Sequence, residues 1–307
     1  MSSRNREMKM KFWAIILPII VCLFSCENNK KENQFVTFSG HLKNASFDSV
    51  YIVVNEREKG FALDFDGNFS DTLQLNAEGY KTFAIDREEF TLYLMPGDSL
   101  FFNADLKQLE RTYYFKGKGA DRNNYLFEKD TLINAWIANE DLYRLSPEDY
   151  KTNITDFTNT LKTKLRASQL EESFIKIENK NIFFDEFHLL YAYRDSYAYF
   201  NPNKSQLPIN FLEFNKFNLD NGDDFDQFKS YRSIVNYYLD EQLNSGHSPI
   251  DILESIESEN IKYSFIRSLI DTLDPKDQMS HVYYDAIQKF CKYKPWLEEA
   301  DNIMNKG

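Results

Sequence analysis

From Phe35 to about Phe115 apolar and polar positions alternate in short runs: Phe35-Val36-Thr37-Phe38-Ser39-Gly40, Ser49-Val50-Tyr51-Ile52-Val53-Val54, Thr91-Leu92-Tyr93-Leu94 and Ser99-Leu100-Phe101-Phe102. A period of two carried by β-branched and aromatic residues predicts strands that each bury one face. Turn formers such as Asp66-Gly67-Asn68 and Pro96-Gly97-Asp98 punctuate them. Strands this short at this spacing predict a small antiparallel β-sandwich over residues 35–118. After Gly117-Lys118-Gly119 the period becomes helical, clearest where Tyr150, Ile154, Phe157, Leu161 and Leu165 fall three and four apart. Ser146-Pro147-Glu148-Asp149 supplies an N-cap, a first-turn proline and early acids, and Ser168-Gln169-Leu170-Glu171 has capping-box spacing. Further helices are predicted over about 121–143, 171–200, 223–244, 249–272 and 279–304. Residues 119–307 therefore read as an all-α helical domain behind the sandwich.

The pattern upstream of Phe35 is different. Arg4, Arg6, Lys9 and Lys11 precede the apolar run Phe12 to Phe24, the arrangement of a signal peptide. About 13 apolar residues, interrupted by Pro18, fall short of the roughly 20 that a spanning helix needs. Leu23-Phe24-Ser25-Cys26 resembles the lipobox of bacterial lipoproteins, with Phe24 bulkier than the usual occupant of its position. That resemblance implies cleavage after residue 25, acylation of Cys26 with palmitate-like chains, and stable membrane attachment, since several chains exceed the marginal hold of one. An ordinary secretory signal or an uncleaved anchor is the alternative. Residues 26–34, polar throughout their stretch after Cys26, read as a tether. The mature chain then lies in the cell envelope, outside the cytoplasm, on either the inner or the outer membrane.

Removing the leader's four basic residues and one acid takes the formal net charge from −12 to −15. Such a surface repels phosphate backbones and disfavours nucleic acid as a partner. Of three cysteines, Cys22 leaves with the leader and Cys26 carries lipid, so Cys291 stands alone. No intrachain disulfide or cysteine-based zinc site follows. The mature part, about 280 residues, suits two domains of ordinary size.

The order of landmarks carries a family likeness. Phe38-Ser39-Gly40-His41-Leu42, Val50-Tyr51-Ile52, the hairpin Leu63 to Phe69, Leu92-Tyr93-Leu94-Met95-Pro96-Gly97-Asp98-Ser99-Leu100 and Phe115-Lys116-Gly117-Lys118-Gly119-Ala120-Asp121-Arg122-Asn123-Asn124-Tyr125-Leu126 follow one another. Together they resemble the N-terminal part of the TlpA-like thiol-disulfide oxidoreductase lipoproteins of Bacteroidota. The likeness covers the β half well and the helical half loosely. It implies a β-rich domain, a helical region and then a thioredoxin domain. This chain reaches Gly307 about where that last domain is expected, and it has no Trp-Cys-x-x-Cys pair for exchange through a mixed disulfide. The family's redox activity is therefore carried to no residue here.

Individual motifs add little chemistry. Pro96-Gly97-Asp98 reads as a tight turn. Gly117 and Gly119 before a helix start lack the rest of a phosphate-binding loop. Asp64, Asp66 and Asn68 have calcium-loop alternation without the distal Glu. His41, His188, His247 and His281 are scattered, with no two at ligand spacing on one helix, so no metal and no cofactor is expected. No Gly-x-Ser-x-Gly elbow marks a hydrolase. Cys291, near Tyr293 and Trp296, reads as a packed thiol, with an intermolecular disulfide as its functional alternative. The expectation is a non-catalytic envelope lipoprotein that binds or scaffolds, its partner an envelope protein. Two alternatives remain: an accessory or truncated form of a thiol-disulfide oxidoreductase, served by a separate thioredoxin-like partner, and a glycan hydrolase with an aromatic-lined cleft.

Overall fold

A computed structural model of the protein describes residues 34–54, 57–204, 206–208 and 210–305. The expected signal peptide, the lipobox residues Leu23, Phe24, Ser25 and Cys26, and the tether as far as Asn33 lie outside the described residues.

The alternating half forms two four-stranded sheets. β4 (Asn68–Gln74), β1 (Phe35–Lys43), β7 (Ser99–Asp105) and β8 (Tyr114–Lys118) lie side by side in that order, and β3 (Arg57–Ala62), β2 (Ser49–Val54), β5 (Gly79–Ile85) and β6 (Glu88–Leu94) make the second sheet. The sheets face each other across a phenylalanine core. Phe38 of the first meets Phe61 and Phe83 of the second edge to face, at ring separations of 5.5 and 4.9 Å. Gly67 turns the β3–β4 hairpin at φ +80°, and a Cβ there would stand 2.2 Å from the Leu42 carbonyl oxygen.

One expectation is corrected: the sheets are not wholly antiparallel. β1 and β7 run parallel, in register from Thr37 opposite Ser99 to Lys43 opposite Asp105. Burial alternates identically in parallel and antiparallel strands, so the hydrophobic pattern could not distinguish them. The intervening five strands form the long crossover that a parallel pair requires.

Ten helices follow Lys118 among the described residues: α2 (Ala120–Ile137), α3 (Glu140–Tyr143), α4 (Pro147–Ala167), α5 (Glu172–Phe200), α6 (Gly222–Gln227), α7 (Lys229–Asn244), α8 (Pro249–Ser255), α9 (Glu259–Asp271), α10 (Gln278–Phe290) and α11 (Lys294–Met304); a single turn, α1 (Leu109–Thr112), sits between β7 and β8. Four predicted helices are each broken in two. Asn139 interrupts the first and caps α3 through its side chain. Phe228 is extended, at φ −113° and ψ 116°, and inserts its ring between Tyr80 and Phe184. The Asp220 carboxylate accepts the N–H groups of Glu257 and Ser258, which ends the run through α8. Cys291 is extended, and Pro295 sits in the first turn of α11. In each case a local cap or a buried ring outweighs a continuous apolar stripe. No helix among the described residues is long and apolar enough to cross a membrane.

The first helix after the sheets seals them. β6 and β8 are edge strands, and consecutive asparagines of α2 each satisfy one edge. Asn123 Oδ1 accepts the Tyr93 N–H at 2.9 Å while its Nδ2 donates to the Tyr93 carbonyl at 3.1 Å. Asn124 makes the same pair of bonds with Phe115, at 2.9 and 3.1 Å. A side-chain amide thus stands in for a neighbouring strand's peptide at one residue of each edge. At the opposite edges Lys59 of β3 donates to the Thr72 carbonyl of β4 at 2.7 Å and pairs with Asp71.

Candidate functional site

Two places concentrate polar chemistry, and their accessibility separates them. The first is the seam where α2 lies between the sheets and the remaining helices. Its inner face is unusually polar, burying Arg122, Asn123 and Lys129 beside Tyr125 and Leu126. Arg122 pairs with Asp98, whose Oδ2 also accepts the Met95 N–H at 2.8 Å, and with Glu171 at the entry to α5. Gly119 makes room for this pair: its φ is +96°, and a Cβ would lie 2.8 Å from Asp98 Oδ2. About two turns further along α2, Lys129 Nζ stands 2.6 Å from Glu178 and 3.0 Å from Asp185, both on α5. Tyr80 of β5 and Asn181 donate to the Glu178 carboxylate, and Ser230 of α7 donates to Asp185.

The electrostatics match this enclosure. Burial opposes the Lys129 charge, but Asp185 and Glu178 hold its pKa well above the usual lysine value. Burial, then Glu178, pushes the Tyr80 phenol up. Burial raises Asp130, next on α2, to about 6, against the opposing pull of Lys129. His188 is lowered by burial and is therefore neutral near pH 7. Lys129 and Glu178 are 4 % and 0 % exposed. This network joins β5, α2, α5 and α7, with Lys129 and Glu178 enclosed at its centre.

The second place is a depression of about 190 Å³ between α4, α5 and the segment 211–217. Lys151, Ile154 and Thr155 share one face of α4, and Phe183, Glu186, Phe187 and Leu190 share one face of α5, by helical spacing. Phe211, Glu213, Lys216 and Phe217 close the third side. Phe217 packs against Phe183 and Phe187 at ring separations of 5.1 and 4.6 Å. Phe183 is nevertheless 40 % exposed, although its neighbour Phe184 is buried. The floor is thus aromatic and the rim charged. On the rim Glu213 pairs with Lys216, which holds its carboxyl below the usual range, and Glu186 accepts the Thr158 hydroxyl at 3.0 Å. Lys151 sits 4.7 Å from the Phe211 ring centre. A wider, open notch of about 560 Å³ is lined by Asp220, Asp223, Asp226 and Glu259. Asp220 there caps α9, and Asp226 accepts from Asn260 at 2.7 Å.

The residues singled out by sequence do not converge on either place. Cys291 is 6 % exposed at the end of α10, its thiol 3.6 Å from the Tyr293 carbonyl oxygen. The Asp64 carboxylate accepts the N–H groups of Asp66 and Asn68, at 2.9 and 2.8 Å, and so serves its own turn. Lys118 donates to the Gly97 carbonyl at 3.1 Å, tying the glycine pair to the Pro96-Gly97-Asp98 turn. His41, His188, His247 and His281 lie on β1, on α5, between α7 and α8, and on α10. No group of three or more metal-ligating side chains capable of holding an ion occurs among the described residues.

What fold and site define is a two-sheet β region latched to a helical region that carries an aromatic pocket. No protein-family model matches the chain, and no curated protein or solved structure matches it. The pocket residues were not singled out by sequence. Phe183-Phe184 followed by Phe187 marks one apolar stripe of α5, and which ring of it stays partly outside depends on where segment 211–217 packs.

Proposed function

We propose that this protein is a lipid-anchored envelope binding module that receives an apolar group of its ligand in the pocket between α4, α5 and segment 211–217. The observation that carries the reading is Phe183, a large ring held 40 % exposed at the mouth of a phenylalanine-lined depression. Leaving two-fifths of such a ring in water forgoes on the order of 1 kcal/mol of burial, which a docked apolar group recovers. The volume lies below the roughly 300–1,000 Å³ typical of drug-sized ligands and suits one aromatic or branched aliphatic group. A buried anchor group of this kind supplies much of the affinity in many interfaces.

In this reading Cys26 carries the lipid, residues 26–34 are the tether, and the β and helical regions are two domains with separate cores joined by the seam. The TlpA-like likeness is kept for architecture. The partner is held without a disulfide, because the Cys291 thiol is buried and directed at a backbone carbonyl. Anchoring is tested by metabolic palmitate labelling, which Cys26→Ala abolishes. Binding is tested with a photo-crosslinking residue at position 183 in the native envelope, with position 65, on the exposed β3–β4 hairpin, as control. A discrete adduct from 183, absent from 65 and lost on Phe217→Asp, supports the reading. Equal labelling from both positions contradicts it.

A further inference from the structure

The pocket's rim specifies more than an apolar occupant. Four charged side chains surround the aromatic floor: Lys151, Glu186, Glu213 and Lys216. Glu213 and Lys216 form an ion pair with each other. Glu186 accepts the Thr158 hydroxyl at 3.0 Å and lies 3.9 Å from Lys162. Lys151 differs. It makes no ion pair within 4 Å among the described residues, and its ammonium rests over the Phe211 ring, 4.7 Å from the centre, at the pocket wall. Its field reaches Glu213, but that carboxylate is committed to Lys216. A cation–π contact leaves most of an ammonium's donor capacity unused, since three N–H groups radiate from it and a ring face satisfies at most one direction.

Resting on the binding role proposed above, we infer that the ligand is amphipathic in a defined order: an aromatic or branched apolar body in the phenylalanine pocket, and a carboxylate joined to it through a short linker of about two carbons, paired with Lys151. The same chemistry belongs to a free arylalkanoic acid and to the carboxy-terminal aromatic residue of a peptide. Removing both partners from water at an aromatic wall strengthens the charge pair relative to a fully exposed one. The acid therefore outbinds its neutral amide, and a cationic analogue is repelled.

The test is a calorimetric or NMR titration of the full chain with 3-phenylpropionate, 3-phenylpropionamide and phenethylamine, and with a tetrapeptide ending in Phe whose terminus is free or amidated. The expected result is that each free carboxylate binds roughly three- to fivefold more tightly than its amide, the range of a modest ion pair, with phenethylamine weakest. Lys151→Met should level acid and amide, and Lys151→Arg should restore the preference. Tighter binding of the free-terminus peptide than of 3-phenylpropionate assigns the peptide source; the reverse assigns the free acid. Equal binding of acid and amide in the wild type overturns the carboxylate inference and leaves the apolar pocket standing. Failure of every probe to bind overturns both.

Discussion

The seam and the pocket both combine aromatic rings with charged side chains, yet they use them in opposite ways. In the seam the charges are innermost: Lys129 and Glu178 are almost wholly enclosed, and the Tyr80 phenol donates to Glu178. In the pocket the rings are innermost, and the charges stand at the rim, where Glu213 pairs with Lys216 and Lys151 rests over the Phe211 ring. Buried ion pairs repay their desolvation only with good geometry and further hydrogen bonds, and they fix one arrangement among many. An open aromatic floor does the reverse, holding back burial until a ligand arrives. The comparison teaches that the most perturbed titrating groups of this molecule hold it together, whereas its accessible chemistry is apolar.

The comparison can be broken most severely at the seam. Arg122→Met leaves Asp98 buried without its partner and should cost about 3–5 kcal/mol in chemical denaturation. Adding Asp98→Asn should recover part of that loss, which a double-mutant cycle measures. Asn123→Ala strands both peptide groups of Tyr93 at the β6 edge, and a loss of about 1–3 kcal/mol is expected.

Asp130 sharpens the comparison through pH. Its native pKa of about 6 exceeds the ordinary 3.8, so between these values the folded chain binds more protons than the unfolded one. Stability then falls as pH rises through this window, and the penalty is complete above about 6. Asp130→Asn should therefore stabilise the protein at pH 7.5, by on the order of 1–3 kcal/mol, and leave it nearly unchanged below pH 4. Melting curves across pH check this; a gain independent of pH would mean that the charge is not the cause. A smaller effect on stability belongs to the pocket, where Phe183→Asp removes only the buried part of the ring and should cost about 1–2 kcal/mol while weakening retention of any aromatic probe.

Much of the architecture was legible in the chain. Alternation at Val36, Phe38, Val50 and Ile52 marked strands, and Tyr150 to Leu165 marked α4 with its Ser146 cap. The parallel β1–β7 pair was not legible, because period two carries no direction. α2 was visible only in outline, since the side chains it buries include Arg122, Asn123 and Lys129, which a hydrophobic count assigns to solvent. The motif Gly119 to Asn124 was recognisable as a unit, but its role was hidden: Asn123 and Asn124 bond to the backbones of Tyr93 and Phe115, and backbone partners leave no mark on sequence. The pocket was hidden for a related reason. It depends on segment 211–217 folding back onto α5, a tertiary contact with no local period.

The central claim is that ligands meet the pocket and not the seam, and a site-specific fluorine label reads both. A fluorophenylalanine at position 183 and, separately, a fluorotyrosine at position 125 are titrated with 3-phenylpropionate and followed by fluorine NMR. A saturable shift at 183 with no change at 125 is the predicted result. A shift at 125 with 183 silent would contradict the account.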